Sequence, residues 1–191
     1  YCALKINQGR TDYYLIFFNL QKKVVQLDIL LEDGALSEGV FKNMITIGLR
    51  VGEFAWTEQF IEEYYPFLPS NIRENARTFN LANLYSHQKN HNKVIELLSN
   101  VEYSDIVYTL GAKLILLRTY YESNENLALD SLMDSFRIFI RRNKQISKSL
   151  KREYINFLNF LSKLSNTSGG RKKDVVLLKK KITETQSVIS K

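Results

Sequence analysis

Only two prolines and eight glycines are spread over 191 residues. So few breakers exclude a turn-rich β architecture and favour long helices joined by short turns. The single cysteine, Cys2, rules out an internal disulfide and fits a reducing, cytoplasmic setting. With that one cysteine and two histidines, His87 and His91, zinc and nucleophilic chemistries have too few ligands and bases to assemble. There is no phosphate-cradling glycine loop and no Gly-x-Ser-x-Gly elbow. The chain therefore reads as non-catalytic, with no cofactor and no metal. Its longest aromatic and aliphatic run, Tyr13 to Phe18, is far short of the roughly 20 residues that span a bilayer, and no membrane partner is expected. It opens on Tyr-Cys-Ala rather than Met, which reads as a piece of a longer protein.

What is abundant is apolar and aromatic. Hydrophobic residues make up 45% of the chain, with eleven Tyr and eleven Phe, enough to fold as one domain, 1–191, that buries roughly 70% of its unfolded surface. Charge is uneven. Residues 1–136 hold 12 Lys+Arg against 17 Asp+Glu, a net of −5, whereas residues 137–191 hold 15 against 3, a net of +12.

Apolar residues recur three and four apart, as in Leu81, Leu84, Tyr85 and Val94, Leu97, Leu98, Val101, so the fold class is all-α. Turn signals at Gln8 to Arg10, Asp33-Gly34, Gly52, Pro66 to Asn71, Lys89-Asn90, Ser123-Asn124 and Asn166 to Gly170 divide it. Helices are predicted over 1–7, 12–32, 36–50, 54–65, 70–88, 91–100, 105–122, 126–142, 146–164 and 171–189. Ser70 and Ser104-Asp105 supply N-caps. A shift of 35 residues superposes Leu81 on Leu116, Tyr85 on Tyr120, Leu98 on Met133 and Val101 on Phe136. The turns at Gly52, Lys89 and Asn124 follow the same ladder.

The stretch LANLYSHQKNHNKVIELL, Leu81 to Leu98, resembles the tetratricopeptide pattern: a Leu beside the small Ala82, an aromatic one turn on, a tight turn, then an amphipathic second helix. Gly52-Glu53-Phe54 with Phe60, Ile61, Tyr64 and Pro69 is similar to the turn, second helix and closing proline of the same motif. The match is best over 36–136. It departs at the small position of the second helix, which is Thr57, Val94 and Leu129 in successive units, and Trp56 lies on a second helix rather than a first. The resemblance implies an α-α superhelix, a solenoid of about five antiparallel helix pairs, that captures a peptide or partner protein in a concave groove lined by first helices. It places Asn83 and Arg118 on the groove rung, with Thr46 one unit earlier and Arg73 and Arg77 extending a basic rim. A guanidinium there suits a peptide carboxylate.

Other constellations have bland readings. His87 and His91 have metal-ligand spacing but straddle a turn. Glu58, Glu62 and Glu63 read as a solvated face, and the pairs Tyr13-Tyr14, Tyr64-Tyr65 and Tyr120-Tyr121 as packing. The basic helices of 137–191 carry Arg137, Arg141, Arg142, Lys144, Lys148, Lys151 and Arg152, then Arg171, Lys172, Lys173, Lys179, Lys180 and Lys181. If the two tracts share one surface they suit a polyanion. A nucleic-acid-binding repeat is thus the alternative function, and an acidic partner the other occupant of that end.

Overall fold

The computed structural model describes residues 1–99, 101, 103, 105–167, 172–185 and 187–189. Among the described residues ten α-helices follow one another: α1 Cys2–Asn7, α2 Tyr13–Gln26, α3 Glu38–Val51, α4 Phe54–Tyr64, α5 Arg73–His87, α6 His91–Leu98, α7 Ile106–Glu122, α8 Asn126–Arg142, α9 Lys148–Thr167 and α10 Lys172–Glu184. Among the described residues there is no strand, only an isolated bridge between Glu32 and Ala35. Two compact units divide the chain, Tyr1–Ile115 and Leu116–Lys191, the division falling within α7.

The hairpin turns share one backbone device. At Gly52, Lys89 and Asn124 the chain enters the left-handed region, with φ of 81°, 58° and 60°. In each, the next amide reaches back five residues, Glu53 to the Gly48 carbonyl, Asn90 to Tyr85 and Glu125 to Tyr120, at 3.0, 2.9 and 2.9 Å. This is the Schellman closure, which satisfies carbonyls that the helix end leaves unpaired. Gly9 closes α1 in the same way, and Asp28 closes α2. Glycine takes this conformation freely, whereas an L-residue costs about 1–2 kcal/mol there. Lys89→Gly should therefore stabilise the protein by about 0.5–1 kcal/mol, after allowing for the greater freedom of glycine in the unfolded chain. A lowered urea midpoint would contradict the left-handed assignment.

The ladder of equivalent positions is also a ladder of burial. Thr57, Val94 and Leu129 are completely buried, as are Ala82 and Leu117, with Ile45 nearly so. Large residues thus occupy the Ala82 rung in both neighbours, so a small side chain there is not a repeated feature of the ladder. In the α3–α4 hairpin the close approach falls at Gly48, where an added Cβ would run into Thr57 Oγ1.

In the first unit, Phe41, Met44, Ile45 and Leu49 of α3 pack with Phe60 and Ile61 of α4 and with Ala76, Leu81 and Leu84 of α5. Leu30 and Leu36, from the segment between α2 and α3, close this core. In the second unit the buried set includes Leu117, Leu129, Met133, Phe136, Ile140, Tyr154 and Leu158.

Several boundaries differ from the sequence reading. α2 was expected to reach 32 but ends at Gln26, because the left-handed turn at Asp28 redirects the chain and delivers Leu30 and Leu36 to the core. The Leu36 amide then donates to the Phe67 carbonyl at 2.9 Å. α6 stops at Leu98, so Val101 lies outside the helix and is 36% exposed, and its equivalence to the buried Phe136 fails. Ser70 caps nothing: α5 begins at Arg73, and the Pro69 carbonyl accepts from the Ile72 and Arg73 amides instead. Asp105 is a cap as expected, its Oδ1 accepting from the Val107 amide at 2.6 Å. Ser104 lies outside the described residues.

Candidate functional site

Thr46, Asn83 and Arg118 each follow the buried rung by one residue, a rotation of about 100° that carries them away from the core. Thr46 and Arg118 are exposed and Asn83 is half-buried. Thr46 donates its hydroxyl to the Lys42 carbonyl at 2.8 Å. Arg118 Nε donates to Glu122 at 2.9 Å along its own helix, and the side chain stays 58% exposed. Asn83 belongs to the first unit and Arg118 to the second.

Arg73 and Arg77 have structural partners. Arg73 donates through Nε and Nη2 to the Leu68 carbonyl at 3.2 and 3.0 Å, holding the chain where a short 3-10 turn, Tyr65–Phe67, ends. Arg77 forms a two-pronged pair with Glu62, 2.7 Å on each arm, and lies over the Tyr65 ring at 5.1 Å. Beside it the Tyr85 hydroxyl donates to Glu58 at 2.6 Å, and Lys93 lies 4.3 Å from the Tyr85 ring centre. The carboxylates Glu58 and Glu62 thus tie α4 to α5 rather than forming a purely solvated face. Glu63 accepts from Gln59 on the same helix at 2.7 Å. Their i, i+4 spacing was the visible signal; their partners lie 15 and 27 residues further on.

Burial and hydrogen bonding also set the behaviour of three tyrosines. Burial, aided by the bond to Glu58, pushes Tyr85 up to about 12, and burial alone pushes Tyr103 up to about 12. Burial and donation to Glu38 at 2.7 Å raise Tyr108 as well. In the unfolded chain these hydroxyls ionise near 10. A raised folded value means that the neutral form is favoured in the native state. The resulting stability is complete below about pH 10 and is lost as pH rises towards about 12. The melting temperature should be level up to about pH 10 and fall steeply beyond it, with late tyrosinate absorbance accompanying unfolding. A melting temperature unchanged at pH 12 would contradict this.

The basic residues fall in different places along the second unit. Arg141, Arg142, Lys144, Lys148 and Arg152 are exposed around the α8–α9 junction, where Lys151 Nζ donates to the Arg141 carbonyl at 3.1 Å. α10 runs back along α9: Arg152 donates to the Ser187 hydroxyl at 3.2 Å and Asn156 to the Ser187 carbonyl at 2.9 Å. Lys181 borders the same depression as Lys163 and Thr167, so it is level with the later turns of α9. Lys163 is about 16 Å along the helix from Arg152. Lys179, Lys180 and Lys181 are exposed, with Lys180 at 3.8 Å from Glu184. Arg171 and the side chains of Lys172 and Lys173 lie outside the described residues.

His87 Nδ1 donates to the Asn83 carbonyl at 2.9 Å, a bond within its own helix. Among the described residues no three His, Cys, Asp or Glu side chains gather as a metal site. Among the described residues, too, no helix is long and apolar enough to cross a membrane. No protein-family model, curated protein or solved structure matches this chain.

Proposed function

We propose that this chain is a non-catalytic scaffold of tetratricopeptide-like hairpins that binds a peptide or partner protein along a groove lined by its first helices. The observation that carries the reading is the repeated hairpin: three turns with one backbone geometry, each followed by a second helix whose equivalent side chain is fully buried. That register leaves Thr46, Asn83 and Arg118 outside the core at one repeated position. Groups so placed can hold a peptide backbone or carboxylate without serving the fold. Stacking of such hairpins into a superhelix is part of the same proposal.

Replacing Asn83 and Arg118 together by Ala should weaken capture of a partner recovered by pull-down roughly tenfold or more, with an unchanged melting temperature. Equal binding by the double variant would remove both residues from the site. The alternative, a nucleic-acid surface, draws on the exposed basic residues from Arg141 to Arg152 and from Lys179 to Lys181. Salt separates the two readings, because binding through phosphate contacts falls steeply between low and moderate ionic strength whereas apolar peptide capture persists.

A further inference from the structure

The second unit carries an apolar groove that the hairpin register does not explain. α10 rests on α9 through Leu178, which is 7% exposed. On one side of that contact Val175, Leu178 and Ile182 of α10, with Leu164 of α9, line a groove of about 440 Å³. Val175 remains 46% exposed, although apolar burial is the main source of stability for a helix of this kind. The distance from Val175 to Ile182 along the axis is about 10 Å, two helical turns. That length fits one stripe of apolar anchors spaced i, i+4, i+7, the footprint of a helix laid in a groove.

Charge selects the occupant. Lys179 forms part of the groove wall, while Lys181 borders the separate depression beside Lys163 and Thr167, and Lys180 is exposed between them in sequence. Against them stands Glu184, already beside Lys180. We propose that this groove docks an acidic amphipathic helix of a partner protein, its apolar stripe against Val175, Leu178 and Ile182 and its carboxylates towards Lys179. Docking of α2 from a second copy fits poorly, because its exposed apolar residues Leu15, Ile16 and Leu20 neighbour Lys22 and Lys23 and would bring like charges together. The groove lies within the second unit, and the inference does not depend on the function proposed above.

The test uses the full chain and a fluorescent, hydrocarbon-stapled helical peptide of about 14 residues, with Leu at i, i+4 and i+7 and Glu on both flanks. Two control peptides replace either the Leu residues by Ala or the Glu residues by Lys. Saturable anisotropy binding is expected for the Leu/Glu peptide alone. Val175→Asp and Lys179→Glu should each weaken it roughly tenfold while preserving the circular dichroism spectrum. Val176→Asp, at a 68% exposed position outside the groove, should bind as the unaltered protein does. Equal binding of the Ala control, indifference to Val175→Asp, or equal loss with Val176→Asp would each overturn the proposal. So would failure of the Leu/Glu peptide to bind while phosphatidylserine vesicles do, a result that would assign the surface to lipid.

Discussion

Phe136→Ala is expected to destabilise the protein by about 3–5 kcal/mol, a large fraction of the roughly 5–15 kcal/mol that holds an ordinary domain together. Phe136 is completely buried in the second unit, where its ring meets Tyr154 edge-on at 5.6 Å between centres. Phe139 lies 6.3 Å away on the same helix. Truncation removes the transfer energy of the ring and leaves a void beside Tyr154, itself buried on α9. Leu127→Ala on the same helix is the control, because Leu127 is 90% exposed and should change stability by no more than about 0.5 kcal/mol. Urea denaturation separates the two. Similar midpoints for both variants would mean that α8 does not present the face described here.

The second large effect is a steric one. Gly48→Ala should cost about 3 kcal/mol, the upper end for overpacking, because the new methyl group meets Thr57 Oγ1 where α3 and α4 approach. Thr57 cannot easily yield. It is fully buried and stiff at Cβ, and its hydroxyl is held by the Glu53 carbonyl at 2.8 Å. A double-mutant cycle isolates the contact: Thr57→Ala removes Oγ1 and should recover much of the loss when combined with Gly48→Ala. Additive losses would show that the penalty lies elsewhere. Gly111 is a second close approach, since its added Cβ would sit 2.7 Å from the edge of the Phe79 ring, which packs edge-on against Tyr108.

The helices and most hairpin turns could be read from the sequence because their causes are local. Apolar spacing marks the helices, and glycine at Gly9 and Gly52 or asparagine at Asn124 marks the left-handed ends. Asp28 plays the same part, yet the apolar periodicity continues past it through Leu30 and Leu31, so the end of α2 was hidden until tertiary packing claimed Leu30. The polar residues follow the same division. Asn83 and Arg118 were singled out by the 35-residue register together with the family resemblance, and the structure gives Arg118 an ion pair within its own helix. Arg73 and Arg77 looked available because their partners, the Leu68 carbonyl and Glu62, are defined by how α4 meets α5. Likewise the lysines of α10 were plain in the sequence, whereas the apolar groove beside them depends on how much of Leu164 and Val175 α9 and α10 leave uncovered.

The hydrogen bond between Tyr108 and Glu38 joins residues 70 apart, in a unit where most packing is between successive helices and α3 also meets α5. Glu38 starts α3 and Tyr108 lies in the first turn of α7, so the bond can form only once the intervening hairpins are in place. Helix pairing across short loops has little entropy to overcome and is fast, while closing a long span is slow and comes last. On that physical ground the hairpins of the first unit are expected to assemble before the Tyr108–Glu38 bond closes the span, an order that a low φ-value for Tyr108→Phe would support.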